Sequence, residues 1–356
     1  MAEPDLKDVR RRIEEIDRQL VGLAAERVQL ARRVAEIKRA AGRATIDFGQ
    51  EKRVLERAAD NAGASGLSSA VAQDLVSRLI EASVTVQEEE NLRHAAIGAG
   101  KSAVIVGGAG RMGRWMGRFL ETQGYDTAVI DPAASAPENR RGEDTLGTAD
   151  LVVCAVPPRG AVDWYRRWTA QPPAGVVVDI ASIKTPLVDA IEGLRRAGGR
   201  VASIHPMFGP SRLLLRDADV VICDTGDEAS TGLVEELFRA TTARRIRLPL
   251  AEHDRLMGDL LSLSHATAIA FAVSLPENDH PVRSTTFQAL AKLAAEAVRE
   301  SPEVYFEIQA DNPHSISSLG KLATAIERLM ASVEGRDADA FADLMAEGKR
   351  RTAADI

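Results

Sequence analysis

Only two cysteines occur among the 356 residues. Cys154 and Cys223 each end an apolar run ("LVVC", "VVIC"), which reads as two buried strand thiols rather than a disulfide framework and suits a reducing cytoplasm. The chain also lacks a basic excess. Its 45 Lys and Arg stand against 52 Asp and Glu, a net charge of −7, which argues against a general nucleic-acid binder. No apolar run approaches a membrane span, and the charged start "MAEPDLKDVRRR" excludes a signal peptide. There is no internal repeat or low-complexity tract, and no metal site is expected. What remains, 45% apolar and 27% charged residues, is ordinary for a soluble globular protein long enough for two or three domains.

Three stretches follow different rules. From about Asp5 to Ala40 the residues Val9, Ile13, Ile16, Leu20, Leu23, Arg27, Leu30, Val34 and Ile37 recur at helical steps, predicting one very long helix. "AGRATIDFG" breaks it, and further helices are predicted over about 50–62 and 69–94. Three helices with one long member do not enclose a core alone and would pack as an intertwined dimer. Next, "SAVIVGG", "YDTAVID", "DLVVCAVP", "GVVVDIAS", "RVASIHP" and "DADVVICD" are short β-branched runs between helical or loop segments, the pattern of a doubly wound parallel sheet. From about Leu250 the pattern is helical again. The expected organisation is an all-α segment over 1–96, a linker at "GAGKS", an α/β Rossmann domain over 102–249, and an all-α dimerisation domain over 250–356.

"VIVGGAGRMG" carries Gly108-x-Gly110-x-x-Gly113 between a strand and a helix, and the next strand ends in Asp131. In a dinucleotide-binding turn Gly108 permits the tight bend, Gly110 lets a pyrophosphate approach, and Gly113 lets helix and strand pack. Arg111 and Met112 complete the loop at the helix N-terminus. An acid at the end of the second strand accepts from a ribose 2′-hydroxyl and repels a 2′-phosphate, so NAD is expected over NADP. Arg111 is the feature that could favour a phosphate.

In the first helix Arg27 sits on the apolar stripe, where a charge must either snorkel or meet an anion. Lys38 shares its face and Arg10 lies near the other end. Three such cations form either a solvated edge or an anion site. The stretches "VRRRIEEIDRQL", "AERVQLARRVAEIK", "IDFGQEKRVLERA" and "LIEASVTVQEEE" resemble the all-helical chorismate mutase family over about residues 5–95. The resemblance implies that Arg10, from a partner subunit, and Arg27 hold the two substrate carboxylates. Lys38 and Gln87 would donate to the ether oxygen, Glu51 and Asp47 would meet the ring hydroxyl, and Ser83 would line the pocket. One departure is Gln50, where the family usually has Arg.

"SIHPMFGP" places His205 at the end of a strand, where open α/β sheets bind ligands, and "DIASIK" places Ser182 at the end of the strand before. With the glycine loop and "AEHDRLM", these motifs resemble prephenate dehydrogenases over about residues 102–340, so the whole chain resembles the bifunctional T-protein arrangement. The resemblance implies that His205 accepts the proton of the ring hydroxyl as hydride leaves for the nicotinamide. Ser182 would orient substrate and nicotinamide, and His253 would support the substrate or cofactor side. A second departure is Ser264, where the family has an Arg that grips a substrate carboxylate; Arg283 and Arg255 are candidate replacements.

Three readings follow. The chain is a homodimeric mutase–dehydrogenase acting on chorismate and prephenate, or it performs the same reactions on the 4-amino-4-deoxy analogues, whose ammonium group asks for fewer cations. In the third, the helices are only a catalytically dead dimerisation module. Five retained mutase-type residues, Arg10, Arg27, Lys38, Glu51 and Gln87, argue against the last.

Overall fold

In the computed structural model the described residues are 5–43, 45–212, 215–276, 282–299 and 301–353. They fold into two compact units. One comprises Met1–Val156, Arg167–Ile180 and Leu194–Arg247; the other comprises Pro157–Arg166, Ala181–Gly193 and Leu248–Ile356.

The first unit begins with α1 (Leu6–Ala40), α2 (Phe48–Ser65) and α3 (Ser69–Ala95). Asp5 caps α1, Asp47 caps α2 through the Gln50 N–H at 2.9 Å, and Gly66 in the left-handed region ends α2. Both α1 and α2 pack on α3. Of α1 only Ala31 and Ala35 are buried. The predicted stripe faces elsewhere: its apolar members from Val9 to Ile37 are between 40% and 68% exposed. The periodicity therefore marks a surface left uncovered by the chain itself, not its core.

The sheet consists of β1 (Ser102–Val106), β2 (Asp126–Ile130), β3 (Leu151–Cys154), β4 (Val176–Asp179), β5 (Arg200–Pro206), β6 (Asp219–Asp224) and β7 (Arg244–Pro249). Among the described residues it has seven strands in the order β2-β1-β3-β4-β5-β6-β7. Strands β1 to β5 are parallel, but β6 pairs antiparallel to β5, so the sheet is mixed where an all-parallel one is expected. Strand β7 escaped the sequence pattern because "RRIRLP" is a charged edge strand whose apolar face is only Ile246 and Leu248, both half-buried. Helices α4 (Arg111–Thr122), α5 (Ala136–Leu146), α6 (Pro158–Ala170), α7 (Val188–Arg196) and α8 (Glu228–Leu237) occupy the connections. Trp115, Phe119 and Phe238 stack over β-strand residues such as Ile105, Val153 and Ile204 to form the core. Cys154 and Cys223 are buried strand thiols. The expected linker is not loose, since Gly98 packs where a side chain would collide with the Tyr125 ring.

The second unit contains α9 (Leu250–Met257), one π-helical turn (Gly258–Ser262), α10 (Leu263–Ser274), α11 (Thr285–Ala297), α12 (Pro302–Ala310), α13 (Ser315–Glu334) and α14 (Ala338–Thr352). The stretch Leu250–Ser274 is, against the expectation from sequence, long and apolar enough to cross a membrane by length and composition alone. It nevertheless carries Asp254 and Asp259, both hydrogen-bonded within this unit.

Candidate functional site

Helical spacing puts Arg27, Ala31 and Lys38 on one face of α1, Asp47 and Glu51 on one face of α2, and Ile80, Ser83 and Gln87 on one face of α3. These faces enclose a cavity of about 300 Å³ lined by Arg27, Lys38, Asp47, Gln50, Glu51, Ser83 and Gln87 with Leu30, Val34, Val54 and Ile80. Arg27 Nη1 donates to the Ser83 hydroxyl at 2.6 Å and to the Leu79 carbonyl at 2.5 Å. That tether fixes the guanidinium, and burial pulls it below its ordinary value while leaving it protonated. Lys38 Nζ donates to the Thr45 carbonyl at 2.6 Å. Gln87 is 6% exposed, its Nε2 donates to the Ser83 carbonyl, and its Oε1 is buried without a partner. Rotating this amide by half a turn exchanges acceptor for donor at that end.

Two candidates stand differently. Arg10 is exposed and does not line the cavity. It lies 17 residues before Arg27 on the same helix, about 25 Å away at the α-helical rise. Gln50 lines the cavity, but its Oε1 accepts from Arg53 Nε and Nη2 at 3.2 and 2.9 Å.

At the sheet the order reverses between β1 and β3, the switch point at which open α/β sheets bind ligands. The loop of residues 107–110 sits there. The left-handed residue is Gly107, with φ of 82°, so the tight bend assigned to Gly108 belongs one residue earlier. Gly108 instead makes room for Val129, which a Cβ would meet at 2.7 Å, and a side chain on Gly113 would run into the Gly107 carbonyl. Gly110 caps α4, Arg111 is exposed, and Met112 is half-buried against the core. Asp131 Oδ2 accepts from the Ala109 N–H at 3.0 Å and Oδ1 from Ala133 at 2.8 Å. A carboxylate with about four lone-pair positions keeps acceptor capacity beyond these two bonds. His205 is buried at the carboxyl end of β5. Two buried polar groups near it were missed: Asp179, which ends β4, and Ser203, whose hydroxyl has no partner. For Asp179 the available signal was a single polar residue closing the apolar run "VVVD".

In the second unit Ser182 is half-buried, three residues past the end of β4. His253 is fully buried, with Nδ1 2.7 Å from Asp254 Oδ1. Asp254 also accepts the backbone N–H groups of Lys184 (2.8 and 3.0 Å) and Thr185 (2.6 Å). Burial alone would raise this carboxyl, but the hydrogen bonds from His253, Thr185 and Lys184 outweigh it and bring it down to about 2. Asp254 is thus the hub that the adjacent "HD" pair could have announced. Ser264 is exposed, and its hydroxyl donates back to the Leu260 carbonyl at 2.6 Å. His265 beside it stacks on Tyr305 at 4.2 Å, and burial lowers its pKa. Of the two candidate replacement cations, Arg255 pairs with Glu252 at 2.8 Å and Arg283 is exposed.

A cation-lined helical cavity joined to a sheet with a glycine-lined strand-to-helix turn defines a class: an anion-binding helical module fused to a nicotinamide-type oxidoreductase. The chorismate mutase type II family model matches residues 9–88, and that of the prephenate dehydrogenase nucleotide-binding domain matches residues 116–247. The T-protein of Enterobacter agglomerans is 24% identical over 343 residues, 95% of this chain and 90% of that one. The 4-amino-4-deoxyprephenate dehydrogenase of Streptomyces pristinaespiralis is 31% identical over 268 residues, 68% of this chain and 88% of that one. Among solved structures, prephenate dehydrogenase from A. aeolicus in complex with hydroxyphenyl propionate and NAD+ shares the fold. Its TM-score is 0.58 at 16% identity, covering 72% of this chain and 98% of that one. The chain belongs to the prephenate dehydrogenase family and carries a type II chorismate mutase domain ahead of the dehydrogenase. It is an isomerase and an oxidoreductase in one polypeptide.

Proposed function

We propose that the helical cavity converts chorismate to prephenate and that the dehydrogenase half converts prephenate to 4-hydroxyphenylpyruvate with NAD. The observation that carries this reading is the convergence of six mutase-type side chains from three helices on one cavity. A Claisen rearrangement needs no nucleophile. It needs a flexible dianion folded into a chair-like shape and charge stabilised on the breaking C–O bond. Arg27, fixed by Ser83, grips one carboxylate, and Arg10 of a second copy grips the other. Lys38 and Gln87 donate to the ether oxygen, while Glu51 and Asp47 accept from the substituent at C4. The second copy is supported by the uncovered stripe of α1 and by exposed apolar residues of α13 and α14 such as Met330, Val333 and Met345. The protein is then a cytoplasmic homodimer.

In the dehydrogenase half the glycine turn keeps bulky side chains away from the α4 N-terminus, where the helix end favours a pyrophosphate. Asp131 accepts from the ribose hydroxyl and disfavours a 2′-phosphate. Bound there, NAD supplies the hydride acceptor, and loss of CO₂ from the substrate aromatises the ring. His205 hydrogen-bonds the C4 hydroxyl and takes its proton, Ser182 orients the substrate, and His253, locked by Asp254, shapes the substrate side.

A second reading has a specific observation in its favour. The relative that is 31% identical is named for the 4-amino substrate, and Ser264 offers a hydroxyl where a carboxylate-gripping cation is expected. A substrate with an ammonium at C4 has one negative charge fewer and needs fewer cations. Both readings are tested by kcat/KM of the purified protein on chorismate, prephenate and their 4-amino analogues, with NAD and NADP. Strong preference for the hydroxyl substrates eliminates the second reading, and preference for NADP overturns the role given to Asp131.

A further inference from the structure

The connection between β5 and β6 belongs to the dehydrogenase half, yet one of its side chains reaches the helical half. Arg216 Nη2 lies 2.8 Å from Glu51 Oε2, and the two side chains are only 20% and 16% exposed. The guanidinium also sits over the Phe48 ring, 5.5 Å from its centroid. Glu51 therefore stands as a partition. It lines the mutase cavity on one side, and on the other it lines a second hollow together with Arg212, Arg216 and Asp217. Arg216 lines the second hollow only, behind the carboxylate.

The connection is held where Arg216 needs it. The Leu215 N–H donates to Glu88 of α3 at 3.2 Å, and Glu88, 2% exposed, also accepts from the Thr242 N–H and hydroxyl. The Arg216 carbonyl accepts from Arg212 at 2.5 Å. Asp217 follows in the left-handed region, with φ of 55°, a conformation Asp tolerates better than most residues. These bonds place the backbone, while Glu51, the Phe48 ring and the exposed Asp217 carboxylate, 3.6 Å from Arg216 Nε, hold the side chain before any substrate arrives.

Charge explains why it is needed. The α2 wall of the cavity holds two carboxylates, Asp47 and Glu51, and its third polar residue, Gln50, is neutral and turned to Arg53. A dianionic substrate entering that cavity meets like charge at close range. We propose that Arg216 is a positioning residue for the rearrangement: from the dehydrogenase half it pairs with Glu51, neutralises it toward the incoming dianion and fixes the carboxylate that receives the C4 substituent. It supplies, from a remote stretch of sequence, the cation missing at position 50. This rests on reading the cavity as the mutase site and deepens that reading, because it makes the mutase depend on a dehydrogenase loop.

The charge on the substrate and its C4 substituent are the same in ground and transition states, so loss of Arg216 removes uniform binding. For Arg216→Gln in the full-length chain the expected result is a KM for chorismate raised about 10-fold with kcat within about 2-fold. Arg216→Lys restores most of the loss, because it keeps the charge. With the 4-amino substrate, whose ammonium can itself pair with Glu51, Arg216→Gln costs less or nothing. Oxidation of supplied prephenate or its 4-amino analogue stays near wild type. In Glu51→Gln the further change Arg216→Gln has little added effect. Calorimetric binding of a bicyclic dicarboxylate analogue of the rearrangement's transition state gives a readout independent of turnover, with an expected Kd about 10-fold weaker in Arg216→Gln. An unchanged KM and Kd overturn the proposal. So does an equal loss of both activities that Lys fails to rescue, which would make Arg216 a mere structural pin. A wild type that rearranges neither substrate and does not bind the analogue overturns the reading of the cavity itself.

Discussion

In the helical segment six candidate side chains from three helices line one cavity, whereas in the sheet segment the candidate groups are strung along the carboxyl ends of β1, β2 and β5. The two arrangements suit different tasks. A rearrangement depends on holding one flexible anion in one shape, and rigid helices that aim long polar side chains inward accomplish that. Oxidation depends on juxtaposing two molecules, and the sheet contributes backbone: a glycine turn without side chains, a carboxylate braced on the loop, and one imidazole at a strand end. Arg10 does not line the helical cavity and the α1 stripe is exposed in the single chain, so the site as proposed is completed by a second copy.

Separability is where the comparison should break most visibly if it is wrong. His205→Asn is expected to lower oxidation by about 10²–10⁴-fold, the usual range for losing a positioned general base, while rearrangement stays near wild type. Steady-state assays of each step, with separately supplied substrates, check this. Parallel loss of both activities in a folded variant would merge the two sites into one.

Incompleteness of the helical site has its own test. Arg10→Ala and Lys38→Ala homodimers should each be nearly inactive as mutases. Subunits exchanged between them should recover about a quarter of wild-type activity, since half of random dimers are mixed and each mixed dimer has one intact site. No recovery would place Arg10 in its own chain's site or in none.

Smaller effects sharpen the difference between buried carboxylates. Burial raises the Glu88 carboxyl, and the hydrogen bonds from Thr242 and Leu215 do not overcome it, whereas Asp254 is held down to about 2. A depressed carboxyl stabilises the fold above its ordinary value of 3.8 and loses that contribution as pH falls through about 2. Denaturant unfolding of wild type and Asp254→Asn should therefore differ by about 2 kcal/mol above pH 5, converging toward pH 2. A pH-independent difference would contradict the hydrogen-bond account. Ser264→Arg should shift preference toward prephenate over its 4-amino analogue by about 1–3 kcal/mol in relative kcat/KM. No shift would separate position 264 from substrate charge.

Local signals made much of this legible. The long first helix, the strand–glycine–helix turn and the polar members of α1, α2 and α3 are all written as short-range periodicity, and the structure brings those polar residues together. What escaped depended on distance in sequence. Strand β7 is recognisable only beside β6, because its charged residues face outward at an edge. Gly107 was passed over for Gly108 because the motif fixes spacing but not which residue takes positive φ. The pairing of Arg216 with Glu51 joins residues with no shared local pattern.

The central claim is that two activities occupy two sites in one chain, and Lys38→Ala tests it most directly. Appearance of NADH should be followed for wild type and variant, started from chorismate (or its 4-amino analogue) and, separately, from the matching prephenate. The expected result is that wild type reduces NAD from either starting compound, while Lys38→Ala reduces it at a near-normal rate only when the prephenate is supplied. The rate from the chorismate should fall by about 10²-fold or more, as for loss of a donor to developing negative charge. A variant that still proceeds from the chorismate, or that has also lost oxidation of the prephenate while remaining folded, would contradict the account.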